Sequence, residues 1–252
     1  MPHHLTILTG HSRGLGLAMA QALLQAQHQL LGLARQPVPA LQDAAQAAGV
    51  PLTQWSVDLQ DPGPVAERLQ RWLAAQDPAQ CLSVTLINNA ALIPPIAPLA
   101  QTDGEALAKA LRVGLEAPLR LSASVLAATE GWAVPRRVLN ISSGLGRRAM
   151  ASQSVYCAIK AGVDHATRCL ALEEALKPHG ARVCSLAPGV IDTDMQVQLR
   201  SADQALFPDR GNFANLHAKG QLSAPAEAAA RVLAWLARPD FGQEPIADVR
   251  QA

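Results

Sequence analysis

A tyrosine and a lysine four residues apart form the pair most capable of chemistry in this sequence. Tyr156 is the only tyrosine of the 252-residue chain, and Lys160 follows at the i, i+4 spacing that puts both side chains on one face of a helix. A phenol has a pKa of about 10, which a neighbouring ammonium lowers by stabilising the phenolate. The pair can therefore act as a proton donor near neutral pH. The same spacing also occurs where a tyrosine only packs against its neighbours, so the surrounding sequence must show whether this pair is catalytic.

Ser143 supplies that context. It follows Asn140-Ile141-Ser142 at the end of a predicted strand, thirteen residues before Tyr156. In a parallel sheet, strand ends deliver side chains to the edge where ligands bind. A hydroxyl there can hold a carbonyl oxygen while Tyr156 protonates it. The predicted catalytic residues are therefore Ser143, Tyr156 and Lys160, and no metal site is expected.

A glycine-rich segment follows the first predicted strand and opens the first predicted helix. It reads Thr9-Gly10-His11-Ser12-Arg13-Gly14-Leu15-Gly16. Glycines allow a tight turn and a close approach of the backbone to a pyrophosphate, which the helix N-terminus stabilises. The pattern favours nucleotide binding, and a purely structural turn is the alternative. The predicted contacts are Gly10, Ser12, Arg13, Gly14, Leu15 and Gly16.

The end of the second predicted strand favours NADP(H) over NAD(H). A sheet that binds NAD usually places a carboxylate there for the ribose 2′-hydroxyl. This chain instead reads Leu33-Ala34-Arg35 and has no acidic residue before Asp43. The Arg35 guanidinium can form a charge-assisted hydrogen-bonded fork with a 2′-phosphate, and Arg13 can supply a second cation. Two solvated loop arginines are the alternative interpretation.

Short apolar runs alternate with longer stretches of helix-forming composition along nearly the whole chain. This alternation is typical of a parallel sheet covered on both faces. Right-handed crossovers then favour an α/β fold with a Rossmann-like doubly wound sheet of about seven strands in one domain, residues 1–252. Predicted strands cover 5–9, 29–33, 52–57, 83–87, 136–141 and 181–186, and predicted helices cover 14–26, 40–48, 62–75, 103–129, 152–177 and 224–237.

The alternation breaks down across residues 191–222. This segment mixes Phe, Pro, Gly, Asn and His without a sustained period. We expect a short helix and a loop that cover a substrate pocket, and a surface insertion is the alternative.

Composition excludes several classes of partner. The net charge is +1, with 16% charged residues, so neither nucleic acid nor an anionic membrane is indicated. No apolar run approaches the roughly 20 residues of a bilayer span, and no secretory signal precedes the first strand. Without a CxxC spacing, Cys81, Cys157, Cys169 and Cys184 are expected to be buried thiols of a cytoplasmic protein.

These motifs, in this order, closely resemble the short-chain dehydrogenase/reductase family along almost all of the chain. They are 9–16, Asp58-Leu59, Asn88-Asn89-Ala90, Ser142-Ser143, Tyr156-Cys157-Ala158-Ile159-Lys160 and 188–195. The resemblance implies an NADP(H) reductase in which Lys160 also binds the nicotinamide ribose. It implies further cofactor contacts from Asp58, Leu59, Asn88, Ala90, Pro188, Gly189, Ile191 and Thr193.

The sequence departs from the family pattern at two positions. Ala91 follows Asn88-Asn89-Ala90 where the family has glycine, and Gly114 stands where the family has a catalytic asparagine. In the family, that asparagine supports a water linked to the catalytic lysine, partly through its main-chain carbonyl. Gly114 keeps the carbonyl and lacks the side chain. We therefore expect Gly114→Asn to raise kcat or leave it unchanged.

Within the family, the chain is similar to bacterial sepiapterin reductase-like and benzil reductase-like members. That similarity implies NADPH-dependent reduction of a ketone or of one carbonyl of a vicinal dicarbonyl. Asp248 is a candidate substrate anchor, by analogy with sepiapterin reductases. Candidates for an apolar wall near the reacting carbon, each of which can equally be core, are Ile93, Ile96, Met150, Met195 and Phe213.

Two other functions stay open. One is a 3-oxoacyl or steroid-type reductase with the same chemistry, and the other is a protein that senses NADP(H) without turnover, since a fold does not fix a function. The resemblance also implies a homodimer or homotetramer built on helices 103–129 and 152–177. The predicted partner is a small-molecule carbonyl compound.

Overall fold

Seven strands form one parallel sheet in the computed structural model, which describes residues 2–251. The ends of the predicted domain, Met1 and Ala252, lie outside the described residues. The strands are β1 (His3–Thr9), β2 (His28–Ala34), β3 (Leu52–Ser56), β4 (Cys81–Asn88), β5 (Arg136–Ile141), β6 (Arg182–Ala187) and β7 (Ile246–Asp248). Their order across the sheet is β3-β2-β1-β4-β5-β6-β7. Strand order reverses at β1, so the ends of β1 and β4 open the crevice where such sheets bind ligands.

Helices cover both faces of this sheet. They are α1 (Gly14–Gln25), α2 (Pro39–Ala48), α3 (Pro62–Ala74), α4 (Gly104–Leu111), α5 (Ala117–Ala128), α6 (Ser154–Ala175), α7 (Asp194–Ser201), α8 (Arg210–Ala218) and α9 (Pro225–Ala237). The apolar residues of α1, α2 and α9 form one core layer, and those of α3, α5 and α6 form the other. The predicted doubly wound single domain is therefore confirmed.

The six predicted strands are confirmed to within two residues at each end. The seventh, β7, has three residues and pairs with the end of β6 through Ser185, Leu186 and Ala187. Its sequence is too short to show a strand pattern, so only this pairing defines it. Two cysteines contradict the expectation of buried thiols, since Cys169 is exposed and Cys157 is half-buried on α6.

The predicted helix over 103–129 is interrupted. A π-helical turn, Arg112–Glu116, joins α4 to α5. Pro118 has no N–H to donate to the carbonyl of Gly114, four residues earlier, which removes one regular helical hydrogen bond at this point. Such turns inside helices are frequent at functional sites.

The segment 191–222 contains α7 and α8, packs two of its own aromatic rings together and is joined to the rest of the protein by a hydrogen bond from Ser152. Phe207 is fully buried and stacks on Phe213 with ring centroids 5.6 Å apart. The Ser152 hydroxyl, just before α6, donates to the carbonyl of Leu206. These contacts place the segment beside the N-terminal end of α6.

A buried ion pair secures the other end of α6. The Glu174 carboxylate lies 3.5 Å from Arg136 of β5 and 2.8 Å from Lys177, and it accepts a hydrogen bond from the Ala181 backbone N–H. Burial raises the pKa of Glu174, but the hydrogen bonds from Lys177 and Ala181 and the two positive charges outweigh it and hold that pKa below its ordinary value. The ionised carboxylate therefore stabilises the fold.

We expect Glu174→Gln to lower the free energy of unfolding by about 3–5 kcal/mol at neutral pH, because Arg136 is left buried without a counter-charge. A lowered pKa contributes stability above the unfolded-state pKa, and that contribution is lost as pH falls through the folded-state pKa. The difference between the two proteins should therefore shrink below the ordinary glutamate pKa of 4.5. Urea unfolding across pH measures it, with exposed Glu173→Gln as control. A constant difference down to acid pH would contradict the assignment.

Candidate active site

The glycine turn leaves an open cradle at the N-terminus of α1. Gly10 and Gly14 have φ values of +70° and +53°, and a Cβ at Gly16 would lie 2.0 Å from the carbonyl oxygen of Gly10. The N-cap residue of α1, Arg13, makes no side-chain capping hydrogen bond. The first N–H groups of this helix are thus left for an anion, and a side chain at Gly16 would block the turn. The residues present fit a dinucleotide pyrophosphate.

A cleft of about 690 Å³ begins at this turn and contains most of the predicted site. Arg35 at the end of β2 is exposed beside it, and the backbone after β3 contributes further residues of its lining. Predicted residues that line the cleft are Gly10, Ser12, Arg13, Gly14, Leu15, Gly16, Arg35, Asp58, Leu59, Ala90, Ser143, Tyr156, Lys160, Pro188, Gly189, Ile191 and Thr193.

Asn88 is the exception and corrects the predicted list. Its side chain is buried and donates to Asn140 Oδ1 at 2.9 Å and to the Ser122 hydroxyl at 3.2 Å, so it ties β4 to β5 beneath the cleft. The next residue, Asn89, lines the cleft instead, and its amide donates to the carbonyls of Thr9 and Gly10. The sequence could have indicated Asn89 as the cleft residue, because successive residues of a strand point in opposite directions and Asn89 follows Asn88 directly.

Tyr156 and Lys160 lie on the buried face of α6, and both side chains line the cleft. Ser143, directly after β5, faces the same space, and its hydroxyl accepts a hydrogen bond from the Leu145 backbone N–H at 3.2 Å. The Lys160 ammonium donates to the carbonyl of Ile141 at 2.7 Å and lies 5.7 Å from the centre of the Tyr156 ring. The fold thus brings the three predicted catalytic side chains together.

Burial dominates the acidity of this group. It raises the pKa of Tyr156 to about 12, while a hydrogen bond with Ser143 acts in the opposite direction. Burial also lowers the pKa of Lys160 to about 8, against the raising effect of Asp164. The predicted lowering of the tyrosine pKa by the ammonium is therefore absent here, because desolvation of the phenolate is stronger. At neutral pH the phenol is protonated and most of the lysine is charged.

Asp164, one turn beyond Lys160, locks the backbone around Ser143. Its buried carboxylate accepts hydrogen bonds from the hydroxyls of Ser142 at 2.6 Å and Ser185 at 2.7 Å, and from Arg147 at 3.3 Å. The ends of β5 and β6 are thereby fixed to the helix that carries Tyr156. No sequence pattern singled out Asp164.

The covering segment closes on the glycine turn through one exposed ion pair. Arg13 Nη1 lies 3.0 Å from Asp194 Oδ2, at the start of α7. Asp194 would therefore compete with a cofactor phosphate for the Arg13 guanidinium. Arg35, at the end of β2, lines the cleft as the other predicted phosphate-binding cation.

The substrate side of the cleft is partly apolar. Ile93, Met195 and Phe213 line it, whereas Ile96 and Met150 do not. Asp248 is also absent from the lining, since its carboxylate accepts hydrogen bonds from Arg250 at 2.6 and 2.8 Å, which lower the pKa of Asp248. Two buried residues that the sequence did not single out, Gln153 and Gln196, complete this wall.

Gly114 is packed against the catalytic helix. A Cβ at this position would lie 2.7 Å from Cγ2 of Ile159, the residue before Lys160. An asparagine side chain here would have to displace Ile159, so this packing argues against the expected tolerance of Gly114→Asn, which stays a prediction. Gly114 is the residue that this packing requires.

The described residues support neither a metal-binding site nor a membrane-spanning helix. Within residues 2–251, no group of three His, Cys, Asp or Glu side chains is arranged to hold a metal ion. The same residues include no helix with both the length and the apolar character that crossing a bilayer demands.

Comparison with known proteins agrees with this geometry. A model of the short chain dehydrogenase family matches residues 4–204. Benzil reductase ((S)-benzoin forming) of Bacillus cereus is 32% identical over 237 residues, 94% of this chain and 95% of that protein. L-xylulose reductase of Mus musculus is 34% identical over 192 residues, covering 72% and 75%. A solved short-chain dehydrogenase/reductase of Burkholderia vietnamiensis is 35% identical, covers 99% and 98%, and superposes with a TM-score of 0.64.

The chain belongs to the short chain dehydrogenase family. It is an oxidoreductase that acts on carbonyl or hydroxyl groups with a nicotinamide cofactor.

We expect Gly114→Ala to destabilise the fold by about 1–3 kcal/mol, because the added methyl overlaps Ile159. The double variant with Ile159→Ala should recover part of this loss, since alanine lacks the Cγ2 methyl that the added group meets. Urea unfolding of the wild type, the two single variants and the double variant measures the coupling, and Gly131→Ala, where a Cβ meets nothing within 4 Å, is the control. Additive effects of the two substitutions would show that the contact is not responsible.

Proposed function

We propose that the protein is an NADPH-dependent carbonyl reductase for ketones, including vicinal dicarbonyls. The observation that carries this proposal is that Ser143, Tyr156 and Lys160 line the same cleft as the glycine turn. One cleft thus combines a cradle for a dinucleotide with a buried proton donor. The benzil reductase of Bacillus cereus, whose name gives a vicinal diketone as substrate and (S)-benzoin as product, supports the substrate class.

The proposed cofactor site uses both backbone groups of the glycine turn and charged side chains. The turn at Gly10, Gly14 and Gly16 would hold the pyrophosphate, and Arg35 would pair with the 2′-phosphate. Asp58 and Leu59 would flank the adenine. Nearer the reacting centre, Lys160 would bind the nicotinamide ribose, with Ile191 and Thr193 at the carboxamide. When bound, NADPH supplies the hydride that reduces the carbonyl carbon.

The protein's own part is to hold the substrate and deliver a proton. Ser143 donates a hydrogen bond to the carbonyl oxygen and fixes its position. Tyr156 transfers its phenolic proton to that oxygen as negative charge develops there. The Lys160 ammonium stabilises the resulting phenolate, which in this buried site would otherwise be costly. Ile93, Met195 and Phe213 exclude water from the reacting face, and segment 191–222 covers it.

The alternatives receive less support. A 3-oxoacyl or steroid-type reductase would use the same residues with a different substrate pocket. A non-catalytic sensor would have no need for a serine, a tyrosine and a lysine gathered at one point of the cleft.

The proposed assembly is a homodimer or homotetramer built on α5 and α6. Exposed leucines there support it, namely Leu119 on α5 and Leu172 on α6, which is 72% exposed. The proposed location is the cytoplasm, where the four free cysteines would stay reduced.

We expect the wild-type protein to consume NADPH with benzil or a small aliphatic diketone, and Tyr156→Phe to lower kcat by at least about 100-fold, since general acid catalysis contributes about that much. Loss of absorbance of the reduced cofactor measures turnover. Cofactor binding, followed by NADPH fluorescence, should survive in Tyr156→Phe. Binding without turnover on any carbonyl compound tested would favour the sensor and end the proposal.

The cofactor choice is tested separately at Arg35. We expect Arg35→Asp to lower kcat/KM for NADPH by about 10- to 100-fold, as the loss of a charge-assisted hydrogen bond predicts, and to leave or improve kcat/KM for NADH. Arg71→Asp, an exposed charge reversal on α3 away from the cleft, is the matched control. A tenfold preference of the wild type for NADH would contradict the assignment.

A further inference from the structure

Gln153 lies at the point where the catalytic helix enters the cleft. It is the N-cap residue of α6, three residues before Tyr156, and it lines the cleft while being only 3% exposed. Residues three apart on a helix lie on neighbouring positions of the same face. The Gln153 side chain is therefore close to the side of α6 that carries the phenol.

The amide of Gln153 has no protein partner. It makes no hydrogen bond with any residue in the range 2–251, although a buried amide normally does. The Gln153 amide atoms nonetheless keep some accessible surface. Oε1 of Gln196, by contrast, is both unpaired and fully inaccessible. Because Gln153 lines the cleft, the cleft is the accessible space that its amide meets.

Helix capping does not explain this residue. Asn, Asp, Ser and Thr are the side chains that stabilise an N-cap, and the Gln153 side chain makes no capping hydrogen bond. An almost fully buried polar group that neither caps the helix nor bonds to its neighbours costs folding free energy. A bound ligand would satisfy it.

The surroundings indicate the chemistry of that ligand. Leu145, Met195 and Phe213 give the cleft that Gln153 lines an apolar component. A neutral amide among apolar side chains suits a neutral oxygen, to which its N–H can donate. In a vicinal dicarbonyl, the second oxygen sits on the carbon bonded to the reacting carbon, and so lies beside the oxygen that Ser143 and Tyr156 hold.

We propose that Gln153 donates a hydrogen bond to the second oxygen of a vicinal dicarbonyl substrate and thereby selects it over a simple ketone. The inference rests on the proposed reductase function and adds a specificity-determining residue to it. No proton or electron passes through Gln153, which acts by orientation alone.

The experiment compares two ketones with the same skeleton. Benzil carries two adjacent carbonyls, and deoxybenzoin carries one. Gln153→Met keeps the length of the side chain and removes the amide. With saturating NADPH, we expect this variant to lose about tenfold in kcat/KM for benzil, as the loss of one hydrogen bond predicts, and less than about twofold for deoxybenzoin. The control is Gln42→Met on the exposed surface of α2, which should change neither value.

The outcomes separate the two proposals. If the wild type reduces both ketones and Gln153→Met loses equal activity on each, or none on benzil, the role of Gln153 is overturned while the reductase stands. If the wild type reduces neither ketone, nor any other carbonyl compound, although it binds NADPH, both proposals fall. NADPH binding reports whether Gln153→Met is folded, and a variant that binds NADPH but loses activity equally on both ketones overturns the selective role.

Discussion

The site depends on holding one desolvated ammonium against the end of a strand. Lys160 is buried within α6, and its single hydrogen bond in the described structure goes to the carbonyl of Ile141, the last residue of β5. Desolvation lowers the pKa of Lys160 to about 8 and raises the pKa of Tyr156 to about 12. The apolar setting that makes the phenol a weak acid also strengthens the effect of a nearby charge, because a low dielectric screens it little. Burial therefore opposes loss of the phenolic proton, while the proposed stabilisation of the phenolate by the Lys160 ammonium favours it.

Two contacts along α6 support the position of that ammonium. At its middle, one turn beyond Lys160, Asp164 joins the helix to Ser142 after β5 and to Ser185 of β6. At its far end, Glu174 pairs with Arg136 at the beginning of β5. The helix and β5 are thus tied at two points, so Tyr156 and Lys160 stay fixed relative to the sheet edge. Precise positioning of this kind is a large part of what a protein adds to cofactor chemistry.

Gly114 shows how packing can replace a side chain. The π-helical turn persists without the family asparagine, since Pro118 removes a helical donor and Ile159 fills the space beside the glycine. The main-chain carbonyl of Gly114 therefore stays at a distorted point of the helix that faces α6. Across the cleft, Arg13 pairs with Asp194, so the covering segment and the cofactor would compete for one guanidinium.

Local patterns in the sequence determined the parallel sheet, its helices and most of the cleft lining, because strand and helix periods, glycine turns and the Tyr156–Lys160 spacing are all short-range features. Strand β7, the interruption at Gly114 and the inward direction of Asn88 depended on contacts between distant segments. Only the tertiary structure decided that Asn89 rather than Asn88 meets the cleft, that Arg13 and Asp248 already have charged partners, and that the amide of Gln153 has none. Hydrogen bonding and desolvation set these roles through space, from distant segments for Asn89 and Arg13 and from the nearby Arg250 for Asp248, and they leave no periodic trace in the sequence.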